Sequence, residues 1–500
     1  MDMFKKGFLL TSAVLPCLLI GCAPVLTPPQ EQPPLERIIG DAKVYRERGA
    51  AYISTGEYDK AISNLDKALQ INPKYAEAYS NRADAYLRMG QNARAISDLN
   101  AALQINPRHA QAYSNRATAY LREGQYEQGI SDLNNALAIN PRYAEAYSNR
   151  AAAYASLGRY EEALSDLDKA LELNPTYANA NFNRGFVYIA MGNYEQGIPH
   201  LNKALELNPW YAEAYNERAR AYASMGDYDG AISDYTKALE INPRYAEAYS
   251  NRAAAYLDKD LYNHAILDYG MALEINPRFA RAYDERAEAY LNKREYDKAL
   301  SDLIKALEIN PRYAKAYYKR GFVYAAKGEY DRAIPDYNKA LEINPDYAEA
   351  YSGRAAAYST IGEYGAALAD LNKALEIKPR FAKAYFNRGY VHAATGQYDD
   401  AILDFGSALD VDPRYVPAYH DRASAYVNKG EYEQAIIDYD KVLEISPKNA
   451  LAYFNKARAC EAVGRIPEAV AAYRGFIEHA PPQQAPYIQH ARKRIAILEK

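Results

Sequence analysis

The strongest constraint on this chain is a proline that returns every 34 residues. Pro73, Pro107, Pro141, Pro175, Pro209, Pro243, Pro277, Pro311, Pro345, Pro379, Pro413, Pro447 and Pro481 keep that spacing without an insertion. A fixed period over so long a stretch marks an array of one small unit, since each copy must stack on its neighbours to bury its apolar face. Residues Ala212 to Tyr245 show the unit. Tyr215, Ala219 and Tyr222 recur at intervals of four and three, and Ala231, Tyr235 and Ala238 repeat that rhythm. This spacing predicts two amphipathic helices, parted at Gly226 and stopped by Pro243. Small residues at Ala219, Ala231 and Ala238 let the helices approach closely while the tyrosines fill the space between them. With Ala212 as position 1, the proline is position 32, and thirteen repeats run from Ala42 to Gln483.

The pattern resembles the tetratricopeptide repeat, whose signature is an aromatic at position 4, Leu-Gly at 7 and 8, Tyr at 11, Ala at 20, Phe at 24, Ala at 27 and Pro at 32. This chain departs from it with Tyr at position 4 and Arg at position 7. The resemblance implies an all-α superhelical solenoid in which helix pairs stack and the first helices line a concave groove. Repeat 13 is degenerate, carrying Cys460, Ile466, Pro467, Ala472 and Phe476 in place of commoner choices. Residues 484–500 put Ile488, Ala491, Ile495 and Leu498 on one stripe opposed by Arg492, Lys493 and Arg494, which predicts a C-terminal capping helix.

At 500 residues the chain exceeds a single globular core, but a solenoid grows by addition and needs no domain break. A net charge of -4 gives no electrostatic footprint for nucleic acid. Residues 1–21 have the parts of an export signal: Lys5 and Lys6, an apolar run from Gly7 to Ile20, then Gly21 before Cys22. Leu19-Ile20-Gly21-Cys22 resembles a bacterial lipobox, which implies cleavage before Cys22 and lipidation of its sulfur. Ala23 after the cysteine points to the outer rather than the inner membrane of an envelope. Residues 22–41 carry Pro24, Pro28, Pro29, Pro33 and Pro34 and read as a semi-rigid tether.

Sites of chemistry are scarce. The seven histidines have no metal-ligand spacing, the repeated glycines sit singly at helix ends, and the acidic residues repeat with the period instead of forming one unique pair. No catalytic residue, metal or cofactor is expected, and the repeats leave no segment for a catalytic domain. The most regular charged feature is Arg at position 7, matched sixteen residues later by Asp at position 23, as in Arg218 with Asp234 and Arg252 with Asp268. A structural ladder of hydrogen-bonded pairs follows.

Binding residues are sought on the face opposite the helix seam, at positions 2, 5, 9 and 13. Three repeats place two aromatics there: Phe182 and Phe186, Tyr318 and Phe322, Phe386 and Tyr390, with Phe454 a further one in repeat 13. Each pair is accompanied by Gly at position 8 and Val at position 10. The rings read either as anchors for a bound protein segment or as packing between repeats, the latter supported by Pro199 and Pro335, which share position 22 in repeats 5 and 9 and suggest a copied block. Clamp residues of chaperone-tail receptors, Lys and Asn at positions 5 and 9, are missing. The function expected is a non-enzymatic protein-binding scaffold anchored to the bacterial envelope, with a self-associating spacer as the alternative. The partner and the oligomeric state are left open.

Overall fold

The computed structural model describes residues 42–500. The expected leader 1–21, Cys22 and the tether 22–41 lie outside the described residues. Among the described residues there are 27 α-helices, one short 3-10 turn at Pro482–Gln484 and no strand. Repeat 6 is representative: its first helix is Ala212–Ser224 and its second Tyr228–Ile241. The first helix ends at Met225 and turns on Gly226, whose φ of 85° suits a residue without a Cβ. Asp227 then caps the second helix, its Oδ1 accepting from the Gly230 amide at 2.9 Å. That helix stops because Pro243 forces Asn242 into an extended conformation (φ -125°, ψ 89°), and the Asn242 side chain accepts from the Arg244 amide at 3.1 Å.

Asp260 and Arg294 hold the place of that turn glycine with φ of 58° and 59°. The turn itself is unshifted, so two non-glycine residues carry left-handed backbone. Between the helices, Ala219, Ala231 and Ala238 are fully buried and Tyr235 is nearly so.

The chain divides into two compact units, one ending at Asn276 and the other running Pro277–Lys500. Within each unit a first helix packs on its own second helix and then on the next repeat. Successive first helices also touch one another, as Ala144–Ser156 does Ala178–Ala190 and Ala348–Thr360 does Ala382–Ala394. The first helices therefore line the inner side of the stack in each unit. At the far end of the second unit, the helix Ala485–Leu498 lays Ile488, Ala491, Ile495 and Leu498 on the last repeat, beside Tyr473 and Phe476. Arg494 on its basic side donates to Glu461 Oε1 at 2.9 Å. Cys460 is fully buried, and burial pushes its thiol up from its ordinary value.

Candidate binding groove

The arginine and aspartate columns meet inside each helix pair. Arg218 donates from Nε to Asp234 Oδ2 at 2.6 Å and from Nη2 to Oδ1 at 2.7 Å, while Nη1 reaches Asn202 Oδ1 in the preceding repeat at 2.7 Å. Arg252 makes the same fork to Asp268, at 2.7 and 2.9 Å, and bonds Thr236 behind it at 2.9 Å. One guanidinium thus ties three helices, and each of these carboxylates is more than nine-tenths buried, which leaves this seam no room for a ligand. Repeat 5 departs from the rule. His200 occupies the aspartate position and stacks on Tyr188, centroids 5.6 Å apart, so Arg184 keeps only Asp168 at 2.8 Å and its Nε is buried without an acceptor.

The inner face is less open than the sequence suggests. Position 5 lies beneath the tyrosine of position 34, which the inter-repeat turn folds back over its own first helix. Tyr143 donates to Gln111 Oε1 at 2.6 Å and Tyr313 to Asp284 Oδ2 at 3.1 Å from that perch. The position 5 aromatics are captured in the same way: Phe182 against Tyr211 at 4.8 Å, Tyr318 against Tyr347 at 5.1 Å and Phe386 against Tyr415 at 5.3 Å. Phe182 is 3 % exposed. Burial pushes the Tyr318 hydroxyl up from its ordinary value and that of Tyr347 well above the usual tyrosine range. Phe454 packs against Phe476 at 5.0 Å and Tyr487 of the last helix at 5.8 Å. Of the two readings left open for these rings, packing between elements fits Phe182, Tyr318 and Phe386, each covered by the ring at position 34 of its own repeat, and Phe454, which meets Phe476 and Tyr487 instead.

The position 9 aromatics differ. Phe322 is 42 % and Tyr390 52 % exposed, while Phe186 is half-buried beneath the Arg220 guanidinium, 5.6 Å from its ring. Glycine at position 8 belongs to this arrangement. A Cβ on Gly389 would come within 2.9 Å of the Phe405 ring, and one on Gly185 within 3.0 Å of the Gly197 carbonyl. The cassette glycines let the first helix sit tight on the second, and in repeats 9 and 11 the two aromatics part company, one covered and one open, while in repeat 5 both are covered.

A second ladder was not read from the sequence. Position 6 bonds position 5 of the preceding repeat, 35 residues back: Asn183 to Ser148 Oγ at 3.0 Å, Asn251 to Asn216 Oδ1 at 3.3 Å and Asn387 to Ser352 Oγ at 3.2 Å. In repeats 8 and 9 this place holds charge. Lys319 Nζ donates to Asp284 Oδ2 at 3.0 Å and to Glu288 Oε2 at 2.8 Å, and Asp284 is fully buried. The available sequence signal was Lys319 as the one base in a column where seven repeats have Asn.

Among the described residues, seven stacked helix pairs in the first unit and six in the second, bound across two ladders and lined inside by first helices, make each unit an α-solenoid of the helix-turn-helix repeat class. The sequence matches the family described as tetratricopeptide repeat over residues 76–109, 144–177, 314–347 and 382–415, over 176–244 and 217–278, and over 99–130 and 336–369. The description TPR repeat further covers 49–90, 118–158, 293–328, 361–396 and 423–464. The chain belongs to the tetratricopeptide-repeat family.

Among solved structures it is similar to the APC/C hetero-tetramer Cut9-Hcn1, at 15 % identity over 90 % of this chain and 96 % of that one with a TM-score of 0.49. It is also similar to a tetratricopeptide repeat protein from Parabacteroides merdae, at 25 % identity over 47 % of this chain and 93 % of that one, TM-score 0.40. MamA matches at 34 % identity over 33 % of this chain and 96 % of its own, TM-score 0.31. No match is found among curated protein sequences. A solenoid of this family fits a protein-protein interaction scaffold.

Proposed function

We propose that this protein is a non-enzymatic scaffold whose inner face binds a segment of another protein, with Phe322 and Tyr390 of the second unit as its open anchors. The observation that carries the reading is the exposure of these two rings, 42 % and 52 %, on a face whose other cassette aromatics are covered. Large apolar rings left bare on an inner surface are where binding energy concentrates, because a partner side chain gains area and displaces water there. A photo-crosslinking residue at position 322 or 390, introduced into the chain in its native cells, should capture a defined protein. Crosslinks that arise from a control at position 437 on the outer face, and not from 322 or 390, contradict the reading.

The envelope anchor belongs to the same proposal. Its support is the apolar leader followed by Leu19-Ile20-Gly21-Cys22, and the tether 22–41 would hold the repeats off the bilayer by at most about 60 Å at 3.1 Å per residue. Labelling with a clickable fatty acid should mark the chain and should be lost in Cys22→Ser. Equal labelling of both overturns it.

A second reading, self-association through the outer face, is favoured by one observation in the second unit. Position 22 is usually Ser, yet Leu403 and Ile437 occupy it in consecutive second helices and are 70 % and 56 % exposed. Light scattering separates the two readings: Leu403→Ser with Ile437→Ser would dissolve an outer-face oligomer and leave capture at 322 and 390 untouched.

A further inference from the structure

We propose that the groove of the second unit takes an acidic segment bearing apolar side chains, its carboxylates meeting Arg312, Lys315, Arg380 and Lys383 while its apolar groups sit on Phe322 and Tyr390. The inference rests on the groove reading above and adds the chemistry of the partner.

The two helices that carry an open ring begin alike. Ala314–Ala326 bears Phe322 and starts beside Arg312 and Lys315, and Ala382–Ala394 bears Tyr390 and starts beside Arg380 and Lys383. The helix between them, Ala348–Thr360, has Ala356 in place of the ring and starts beside Asp346 and Glu349. Across these three repeats base, base and ring occur together and acid, acid and alanine replace them, whereas the preceding repeat has the bases Arg278 and Arg281 with Glu288 at the place of the ring. Positions 2 and 9 lie seven residues apart, on one face of a helix, so each base and its ring address the same strip of surface.

The charges differ in what they are used for. Glu349 is neutralised within the chain, accepting from Lys378 Nζ at 2.7 Å. Lys315 is already paired, 3.7 Å from Glu288 and 3.9 Å from Asp284, though half its side chain stays exposed. Arg312, Arg380 and Lys383 are exposed, and among the described residues no carboxylate pairs with them. The first unit has less of this excess, since three of its four turn bases are followed three residues on by an acid, Lys74 by Glu77, Arg142 by Glu145 and Arg244 by Glu247, and only Arg108 is followed by a neutral residue, Gln111. Unpaired cations beside bare rings select a partner by sign through electrostatic complementarity, while the rings supply the affinity.

The test uses short fluorescein-labelled peptides of three designs, alternating apolar residues with Glu, with Lys or with Gln, titrated by anisotropy into the full chain carrying Cys22→Ser. The Glu design should bind at least about tenfold tighter than the Lys design, with affinity falling as salt rises. Arg380→Glu with Lys383→Glu should remove most of that preference, and Asp346→Lys should increase it, a gain that no folding defect can mimic. Equal binding of the Glu and Lys designs, or indifference to these charge changes, overturns the inference. So does binding to phosphatidylglycerol vesicles through Arg312 and Arg380 without preference among the peptides, which would make this edge a lipid contact. Capture of a base-rich segment from position 322 would likewise overturn it while leaving the groove reading intact, whereas no capture from either ring would remove that reading itself.

Discussion

Lys319 reaches back one repeat to Asp284, its Nζ 3.0 Å from Oδ2 and 3.1 Å from the Asp284 carbonyl oxygen, in a place where repeats 5 and 11 join the repeat before them by an asparagine and a serine. The pair is buried on both sides, and Asp284 Oδ1 has no partner at all. Removing the lysine alone would take the nearest charge from a fully buried carboxylate and leave it the Tyr313 hydroxyl at 3.1 Å and the more distant Lys315 at 3.9 Å. Lys319→Met should therefore cost about 3–5 kcal/mol. The double change Lys319→Asn with Asp284→Ser recreates the Asn387 to Ser352 contact and should recover most of that loss. Urea unfolding followed by circular dichroism checks both, and equal destabilisation by the single and double changes contradicts the account.

The same cluster sets a pH window. Burial disfavours both charges, but the attraction between them wins, so Glu288 titrates below its ordinary 4.5 and Lys319 above its ordinary 10.5. A depressed carboxylate contributes stability above its unfolded value and loses it as pH falls through the folded one. A raised lysine contributes below its unfolded value and loses it as pH rises through the folded one. His200 in the first unit behaves otherwise. Burial, then the Arg184 charge, hold it below 6.5, with Asp168 opposing and Tyr188 stacked on its ring, so its neutral form contributes stability that fades as pH falls from that value. Acidification from about pH 7 to about pH 5 should therefore loosen Tyr194–Leu207 while sparing Ala314–Ala326. Hydrogen exchange, corrected for intrinsic rates, reads both helices, and loss of protection confined to the second would refute the assignment.

Repeat 5 also offers a gain. His200→Asp supplies the carboxylate that Arg184 lacks and should stabilise the helix pair by about 1–2 kcal/mol, as charge-assisted bonds replace a buried unsatisfied Nε. Asp234→Asn tests the opposite direction in repeat 6. It keeps the shape but turns an amide toward the Arg218 fork and should cost about 2 kcal/mol. Protection of the second helices in hydrogen exchange should rise in the first variant and fall in the second. No change in either would mean that the guanidinium contacts contribute nothing to stability.

What the sequence made legible was whatever depends on spacing within one repeat. Pro243 and Gly226 mark the ends of helices because each restricts its own backbone, and Arg218 and Asp234 stand sixteen residues apart, the separation at which the structure pairs them. What it hid depends on where one element comes to rest upon another. Tyr211 covers Phe182 only because the inter-repeat turn folds back, and Asn183 finds Ser148 35 residues away only through the stacking of first helices. A helical wheel places positions 5 and 9 on one face and is silent about a ring arriving from outside that helix. The sign of the groove edge was missed for a related reason: net charge averages over Arg312 and Glu77 alike, and it takes the fold to show that bases of the second unit stand beside open rings.

That division between sealed and open rings gives the sharpest stability test. Phe182 is almost wholly buried, touching Tyr211 at 4.8 Å and Phe186 at 6.4 Å, within a cluster that also holds Leu201 and Leu205. Phe182→Ser leaves a cavity and a hydroxyl with no assured partner, and should cost about 3–5 kcal/mol. Phe322 and Tyr390 already spend much of their surface in water, so Phe322→Ser and Tyr390→Ser should each cost under about 1 kcal/mol. The binding consequences run the other way, because truncating an exposed anchor removes contact area without disturbing the stack. Phe322→Ser with Tyr390→Ser should abolish capture at a crosslinker on position 383 while the urea midpoint stays put. If Phe182→Ser were as harmless as Phe322→Ser, the covering role of Tyr211 would be wrong; if the open pair were as damaging as Phe182→Ser, the rings at position 9 would belong to the core and not to the groove.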